Sequence, residues 1–264
     1  MTTIGFIGCG KMARAMIAGL TASEAFAAAD ITACAPSSAT RADASARFGI
    51  NVSADNAAAA ACDVVVLAVK PQVCDLVLSE VNGIIREDAL LVSIAAGKPI
   101  AWIASRARTE NVARFMPNMP AAVGEGMTSV SFADAVSAAD RRTAESIAAA
   151  FGRFEVIPES LMDAATALAG SSPAFVFMMI EAMADAAVLE GMPRAQAYRF
   201  AAQAVAGSAR MALEDGAHPA ALKDAVCSPA GTTIEGVRVL EELGFRSSVM
   251  EALHATCEKS RDFG

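Results

Sequence analysis

The stretch TIGFIGCGKMA at residues 3–13 decides the fold of the first half of the chain. A short apolar run ends at Ile7, and a Gly-x-Gly-x-x-Ala pattern follows it at once and opens a helical pattern. In this arrangement Gly8 permits a tight turn, Gly10 lets the backbone approach a pyrophosphate, and the small Ala13 lets the helix pack closely on the strand. Phosphates then meet free N–H groups at the helix N-terminus. The predicted dinucleotide-binding residues of this stretch are Gly8, Gly10, Lys11, Met12 and Ala13.

Short β-branched apolar runs alternate with helical patterns through the rest of the first half, which is typical of a parallel sheet covered by helices on both faces. We expect strands at residues 3–7, 31–35, 64–69, 90–94, 112–116, 128–132 and 154–156. Helices are expected at residues 12–22, 41–48, 72–82, 100–107 and 138–151. The predicted fold class is therefore α/β, with a Rossmann-type doubly wound sheet in a dinucleotide-binding domain at residues 1–158. This context favours nucleotide binding over the alternative, a purely structural glycine turn.

Strand signals stop after about residue 158, and long Ala- and Met-rich segments with helical periodicity follow. These segments are residues 173–190, 194–214, 219–225 and 232–242. They predict an all-helical C-terminal domain at residues 159–264, which we expect to carry dimerisation and substrate binding. Its helices hold few charges, and the apolar excess of residues 172–188 indicates burial on both sides, against a second subunit.

Composition narrows the class of partner. The 264 residues are 55% hydrophobic and 19% charged, with a net charge of −8. This balance excludes a disordered chain, and the scattered basic residues argue against nucleic acid, so a small-molecule substrate is expected. The six cysteines form no CxxC pair and no Cys/His cluster, so we expect buried thiols in a reducing cytoplasm and no metal. We also expect a soluble protein, with no signal peptide and with residues 170–173 interrupting the longest uncharged stretch, 164–180.

The end of the second predicted strand distinguishes the two nicotinamide cofactors, because an Asp or Glu there would bind the ribose 2′-hydroxyl of NAD. Residues 35–41 read APSSATR and contain no carboxylate. Hydroxyls and a guanidinium suit a 2′-phosphate, so Ser37, Ser38 and Arg41 predict NADP, with NAD as the second choice. In the alternative interpretation, Ser38 or Thr40 only caps the next helix and Arg41 is solvated.

A second group of candidate cofactor contacts follows the third buried strand, at the edge of the sheet where open α/β sheets bind ligands. The group comprises Ala68, Val69, Lys70 and Pro71, together with Asn56 on the adenosine side. Lys70 can approach the cofactor ribose or phosphate, or it can point to solvent beside the proline. Asn56 can contact the cofactor or cap a helix that starts near Ser53 or Asp55.

The segment at residues 226–236 reads VCSPAGTTIEG and is the most unusual in the chain. It is a turn of small and hydroxyl-bearing residues that leads into a helix beginning near Thr232. Unpaired N–H groups at such a helix start, together with the helix dipole, favour an anion such as a carboxylate. The alternative is that Thr232 or Ser228 is an ordinary N-cap.

With these motifs in place, the chain resembles the pyrroline-5-carboxylate reductases, the family that makes L-proline by NAD(P)H reduction of a cyclic imine. The resemblance rests on segments in the family's order over essentially the whole length. They are residues 4–13, 68–71, 114–118, 170–174, 222–224 and 228–233. The Ser-Pro-Gly-Gly-type turn with its following Thr is specific to the family, whereas the glycine pattern is not.

The resemblance implies roles for particular residues. Ser228 and the backbone of Gly231, Thr232 and Thr233 would hold the substrate carboxylate, and the Thr233 hydroxyl would meet the ring nitrogen as the catalytic group. Met116, Pro117 and Asn118 would line the nicotinamide side. The resemblance also implies NADPH-dependent reduction of 1-pyrroline-5-carboxylate at a homodimer interface formed by the helical domains, with dimers gathered into larger rings.

Four positions depart from the family pattern. Lys11 replaces the usual Asn, Met119 the usual Thr, Ser172 the Gly of Gly-Ser-Gly-Pro, and Ala230 the first Gly of the turn. Lys11 is electrostatically compatible with a pyrophosphate. At Ala230 the departure matters if the backbone there needs a positive φ, because only glycine adopts that conformation without cost.

Hydride transfer to an imine needs few catalytic groups, because an imine is already basic and asks chiefly for alignment over the nicotinamide. A ketone reduction would need a Lys, His or Tyr as acid or base. The first alternative function, a β-hydroxyacid dehydrogenase, would show a Lys four residues before an Asn in the helical half, and that pairing is absent. The others are an imine reductase for rings without a carboxylate, and a catalytically idle NADP-binding protein.

Overall fold

The computed structural model describes residues 2–23 and 25–262. Contacts between residues divide the chain into two compact units. Unit 1 comprises Met1–Ser171 with Thr256–Gly264, and unit 2 comprises Ser172–Ala255. The domain boundary predicted between residues 158 and 159 stays a prediction.

Unit 1 is built on an eight-stranded sheet in the order β3-β2-β1-β4-β5-β6-β7-β8. Its strands are β1 Ile4–Ile7, β2 Ile31–Cys34, β3 Asn51–Ser53, β4 Val64–Leu67, β5 Leu90–Ser93, β6 Val112–Met116, β7 Gly126–Phe132 and β8 Gly152–Val156. Strand β1 lies at the centre, with Ile7 opposite Cys34 of β2 and Leu67 of β4. The order reverses beside β1, which creates the crevice where such sheets bind nucleotides. The prediction of a Rossmann-type doubly wound fold is confirmed.

The strand pattern predicts a parallel sheet, but the observed sheet contains one antiparallel pair. Strand β7 runs antiparallel to β6, with Phe115 opposite Val130, and β8 then pairs parallel with β7. A run of only nine residues, 117–125, joins β6 to β7, too short for the crossover helix that a parallel neighbour needs. This short connection is the physical reason for the difference.

Helices cover both faces of the sheet. In unit 1 they are α1 Lys11–Ala22, α2 Ser38–Phe48, α3 Ala57–Ala60, α4 Cys74–Glu80, α5 Ile100–Ala107, α6 Ala138–Ala149 and α7 Met162–Ala165. Successive strand residues point to opposite faces. Ile4 and Phe6 of β1 therefore join the core beneath α1 and α6, whereas Ile7 joins the core beneath α4 and α5. Cys9, Cys34, Cys62 and Cys74 are buried free thiols, and burial raises the pKa of Cys34 to about 11.

Unit 2 consists of helices with a very small core. They are α8 Ser172–Leu189, α9 Arg194–Glu214, α10 Pro219–Val226, α11 Thr232–Glu242 and the first part of α12 Phe245–Arg261. The buried cluster that joins α8 to α9 is Ala184, Ala197 and Ala201. Methyl-sized side chains let the two helices pack closely, and the partly buried Ile180, Val188 and Met192 pack against the cluster. Helix α12 and the short β3 have no counterpart in the predicted elements, whereas α3 begins just after the helix start expected near Ser53 or Asp55.

The expectation that residues 170–173 interrupt a helix is wrong. The helical run continues from Glu159 to Leu189, through a π-helical segment at Thr166–Ser171. The wider π turn shifts the hydrogen-bond register just before Pro173, so the missing N–H of the proline falls in the first turn of α8, where helices tolerate it. By length and composition this run, within the described residues, could cross a membrane, although one such helix alone is weak evidence for a membrane span. Only 6% of its most apolar window is buried inside the protein, so the run is not a core helix of this single chain.

Hydrogen bonds to the Asp63 carboxylate join the starts of β1 and β4. The Asp63 carboxylate accepts hydrogen bonds from the Thr3 backbone N–H at 2.9 Å and the Thr3 hydroxyl at 2.8 Å. It also accepts one from the Arg86 guanidinium at 2.7 Å. These hydrogen bonds hold the pKa of Asp63 below its usual value of 3.8, and the bond from the Thr3 N–H has the largest effect.

We expect Asp63→Ala to lower the free energy of unfolding at neutral pH by about 1–2 kcal/mol, because it removes hydrogen bonds to a charged group. A depressed folded-state pKa stabilises the protein above the unfolded pKa, and this contribution fades as pH falls through the folded pKa. Urea unfolding at fixed chain concentration should therefore show a smaller difference between wild type and variant at a pH of about 3. Asp88→Ala, which removes the exposed second partner of Arg86, is the control and should change the free energy of unfolding much less than Asp63→Ala. An equal loss from Asp63→Ala at both pH values would contradict the prediction.

Candidate active site

The glycine-rich turn between β1 and α1 leaves a helix start open. Gly8 has φ +101°, and a Cβ there would lie 2.6 Å from the carbonyl oxygen of Ala68, so no other residue fits without a shift. Gly10 is the N-cap of α1 in an extended conformation, and a Cβ on it would meet nothing within 4 Å. No described side chain caps this helix. Its first N–H groups therefore remain available for an anion, and the buried Ala13 packs the helix against the sheet.

The end of β2 carries the hydroxyls and guanidinium predicted from the sequence. The Ser37 hydroxyl caps α2 by accepting a hydrogen bond from the Thr40 N–H, so the capping residue is neither Ser38 nor Thr40. The Arg41 guanidinium is not simply solvated: its Nη1 donates to the carbonyl oxygens of Ala35 at 2.6 Å and Pro36 at 2.8 Å. Arg41 is thereby held over the turn that follows β2, and Ser38 at the start of α2 is exposed.

The edge at the end of β4 is partly exposed. Ala68 and Val69 are half-buried and Lys70 is exposed, with its carbonyl accepting the Val73 N–H to start a short 3₁₀ turn. Asn56 begins α3 but does not cap it with its side chain. The Asn56 amide instead donates to the Glu80 carboxylate at 3.1 Å.

Met116, Pro117 and Asn118 end β6 at the same edge of the sheet. Met116 is half-buried, whereas Pro117 and Asn118 are buried. The Asn118 amide oxygen accepts the Met127 N–H at 2.9 Å, and its Nδ2 donates to the Ala169 carbonyl at 3.0 Å. No sequence pattern predicts that backbone groups engage this amide.

A partly buried ion pair in unit 1 was not predicted from the sequence. Arg114, on β6, is 7% exposed and donates from Nη1 to Glu159 Oε1 at 2.8 Å. The same oxygen accepts the Ile100 N–H at 2.8 Å and so satisfies the start of α5. The available signal was an arginine inside an otherwise apolar strand, since a buried charge needs a partner.

Two of the four departures from the family pattern meet in one place. Lys11 and Met119 line the same cleft along α1, of about 360 Å³, together with Arg14 and Phe48. They therefore change one local surface beside the glycine-rich turn rather than two separate ones.

In unit 2 the unusual segment forms a tight turn ahead of α11. The Gly231 N–H donates to the Ser228 carbonyl at 3.0 Å, and Ala230 has φ +58°. With Pro229 at the second position and a positive φ at the third, this is a type II β-turn. The residue that departs from the family's glycine thus adopts the left-handed conformation that favours glycine.

The turn leaves the start of α11 open in the same way as the start of α1. Gly231 is the N-cap, and neither Ser228 nor Thr232 caps the helix with its side chain. A Cβ on Gly231 would lie 2.3 Å from Ser228 Oγ, so the glycine makes room for that hydroxyl. Ser228, the first N–H groups of α11 and the exposed Thr233 are available to an anion.

Lys223, in the helix before this turn, is not suited to act as a general base. The pKa of Lys223 is raised, chiefly by its hydrogen bond to the carboxylate of Asp224. Lys223 therefore stays protonated at neutral pH and cannot accept a proton. Among the described residues, no group of three or more His, Cys, Asp or Glu side chains is placed to hold a metal ion.

We expect Ala230→Gly to stabilise the chain by about 0.5–1 kcal/mol, because relief of a left-handed alanine outweighs the greater freedom of glycine in the unfolded state. The control is Ala202→Gly, an exposed position in the interior of α9, which should cost about 0.5–1 kcal/mol. Thermal unfolding of both variants at one chain concentration measures the two effects. A loss of stability in Ala230→Gly equal to that of the control would contradict the strain at this turn.

Comparison with known proteins agrees with this geometry. The family model for pyrroline-5-carboxylate reductase dimerisation matches residues 159–263. A second model, described as NADP oxidoreductase coenzyme F420-dependent, matches residues 3–97.

Whole-chain relatives carry the same family name. The pyrroline-5-carboxylate reductase of Escherichia coli (strain K12) is 51% identical over 260 residues, which cover 97% of this chain and 96% of the relative. The solved structure of a pyrroline-5-carboxylate reductase from Coxiella burnetii matches with a TM-score of 0.94 at 32% identity, covering 100% of this chain and 98% of that one. Pyrroline carboxylate reductase from Plasmodium falciparum, solved with NADP bound, matches with a TM-score of 0.89 at 31% identity and the same coverage. The resemblance inferred from the motifs is thus confirmed, and the chain belongs to the pyrroline-5-carboxylate reductase family.

Proposed function

We propose that this protein reduces 1-pyrroline-5-carboxylate to L-proline with NADPH, by hydride transfer to the carbon of the cyclic imine. The observation that carries the proposal is the open start of α11 behind the turn at residues 228–231, in a chain that belongs to this family over its whole length. An uncapped helix start with an adjacent hydroxyl suits a substrate carboxylate.

The residues of unit 1 fit NADP. The open space at Gly10 and the uncapped start of α1 accept a pyrophosphate, and the turn after β2 offers Ser37, Ser38 and Arg41 to a 2′-phosphate. The remaining proposed cofactor contacts are Gly8, Lys11, Met12, Ala13, Asn56, Ala68, Val69, Lys70, Pro71, Met116 and Pro117. The amide of Asn118, the next residue, bonds two backbone groups instead. NADPH supplies the hydride when bound, and NAD is the second cofactor.

The substrate end uses the residues of the type II turn and α11. Ser228 and the N–H groups of Gly231, Thr232 and Thr233 hold the carboxylate. The Thr233 hydroxyl hydrogen-bonds the ring nitrogen and so fixes the imine carbon in the direction of attack. No residue needs to act as a strong acid, because the imine nitrogen is partly protonated in water, and alignment supplies most of the rate.

The match to the dimerisation family supports oligomerisation, and we propose a homodimer through the helical domain. Apart from its alanine cluster, unit 2 exposes many large apolar side chains, more than a soluble monomer presents. They include Phe177, Met178, Met183, Leu189, Phe200, Met211, Leu213, Leu240 and Met250. We assign the apolar helical run at residues 159–189 to this interface rather than to a membrane, in a cytoplasmic enzyme. A ring of dimers remains part of the proposal.

A substrate panel tests the proposed reaction. NADPH oxidation is followed with 1-pyrroline-5-carboxylate, with a six-membered piperideine carboxylate and with a cyclic imine that lacks a carboxylate, and each is repeated with NADH. We expect turnover to be fastest with 1-pyrroline-5-carboxylate and NADPH, because only a carboxylate engages the start of α11. Equal rates with the plain imine would favour a general imine reductase, and no oxidation with any imine would favour a catalytically idle NADP-binding protein.

The role of Thr233 is tested against its neighbour. Thr233→Ala removes the hydroxyl assigned to the ring nitrogen, and we expect kcat/KM to fall at least about tenfold, the cost of one good hydrogen bond in the transition state. Thr232→Ala keeps the backbone N–H and removes a hydroxyl with no assigned role, so kcat/KM should stay near the wild-type value. A Thr233→Ala enzyme within a factor of about two of wild type would exclude the role.

A further inference from the structure

Asn118 stands where three parts of unit 1 come together. It follows the end of β6 at Met116–Pro117, and the next residue begins the 3₁₀ segment Met119–Val123, which packs on the cofactor helix α1. Its amide oxygen binds β7 and its amide nitrogen binds the π-helical segment. Side-chain bonds of one residue to the backbone of two separate elements fix the position of the strand end between them.

The same amide is poorly placed to touch a cofactor. Asn118 is only 7% exposed, and each end of the amide already bonds a backbone group. A buried polar group that is satisfied in this way acts as a structural tie, and its loss leaves an unpaired N–H and an unpaired carbonyl behind. The sequence pattern had placed Asn118 among the cofactor contacts, together with Met116 and Pro117.

The π-helical segment also lies close to Met116 at the strand end. A Cβ on Gly170 would lie 3.4 Å from the terminal methyl group of Met116, an ordinary van der Waals distance. Single π turns within α-helices are frequent at functional sites. Asn118 thus ties to the strand end a π turn that lies beside Met116, which we propose lines the nicotinamide.

From this geometry we infer that Asn118 is a positioning residue for hydride transfer, an inference that rests on the proposed function. It holds Met116 and Pro117 at the nicotinamide side through its bonds to Met127 and Ala169. The cofactor's phosphates are held elsewhere, at the start of α1 and the end of β2. Loss of these two hydrogen bonds therefore disturbs the alignment of the nicotinamide with the imine carbon and leaves cofactor affinity nearly unchanged. Hydride-transfer rates depend steeply on that alignment.

The experiment uses the full chain with NADPH and 1-pyrroline-5-carboxylate. Asn118→Ala removes both bonds, and Asn118→Asp keeps the acceptor for the Met127 N–H but loses the donor to the Ala169 carbonyl. The matched control is Asn111→Ala, at the opposite end of β6, where the amide likewise donates to a backbone carbonyl, that of Ala89. Circular dichroism and thermal unfolding establish that each variant is folded. The two Asn118 variants provide independent tests if one of them fails to fold.

We expect kcat to fall at least about tenfold in both Asn118 variants, with the Kd of NADPH within a factor of about two of wild type. The deuterium isotope effect on kcat, measured with NADPH labelled at the transferred hydrogen, should increase because the transfer step becomes more fully rate-limiting. Asn111→Ala should change stability alone. A folded Asn118 variant with wild-type kcat, or one whose Kd for NADPH rises in step with the loss of kcat, would overturn the inference. A wild-type enzyme inactive on every imine would overturn the proposed function and this inference with it.

Discussion

The proposed chemistry depends on two helices that begin without a side-chain cap. Gly10 precedes α1 and Gly231 precedes α11, and the two glycines adopt almost the same extended conformation, with φ of −77° and −76°. Two other helices are capped by a serine hydroxyl, Ser37 for α2 and Ser137 for α6. A glycine cap costs only a few tenths of a kcal/mol relative to serine, and it leaves N–H groups for a ligand. One open start suits the cofactor's pyrophosphate and the other suits the substrate's carboxylate.

Close packing around the starts of α1 and α11 explains why a recognisable glycine motif precedes each of these helices. Gly8 must be glycine because of both its φ and the nearby carbonyl of Ala68. At Gly231 a Cβ would displace the Ser228 hydroxyl, which lies 2.3 Å from its position. Constraints of this kind act between residues near each other in sequence or across adjacent strands, so they leave readable motifs. The same reasoning identified Ala230 as a position of doubt, and the structure gives it a positive φ.

The features that the sequence did not predict depend on contacts between distant segments. The antiparallel placement of β7 follows from a short connection, yet the run of residues 128–132 looks like any other buried strand. Strand β3 has three residues and too little periodicity to detect. The ties from Asn118 to Met127 and Ala169, and from Glu159 to Arg114 and Ile100, join residues that no local pattern connects. The bounds of α5, α9 and α11 were predicted correctly, because helical periodicity and terminal Gly or Pro are local signals.

The alanine cluster of unit 2 has a consequence for how the protein is made. Ala184, Ala197 and Ala201 remove little apolar area from water, so the cluster alone is a weak driving force for folding residues 172–255. In the proposed homodimer the rest of that force comes from a second chain, and folding and association then form one equilibrium. The fraction of folded enzyme in a cell would then depend on how fast subunits are synthesised. Newly made chains would expose apolar surface, which chaperones bind, until they associate with a second chain.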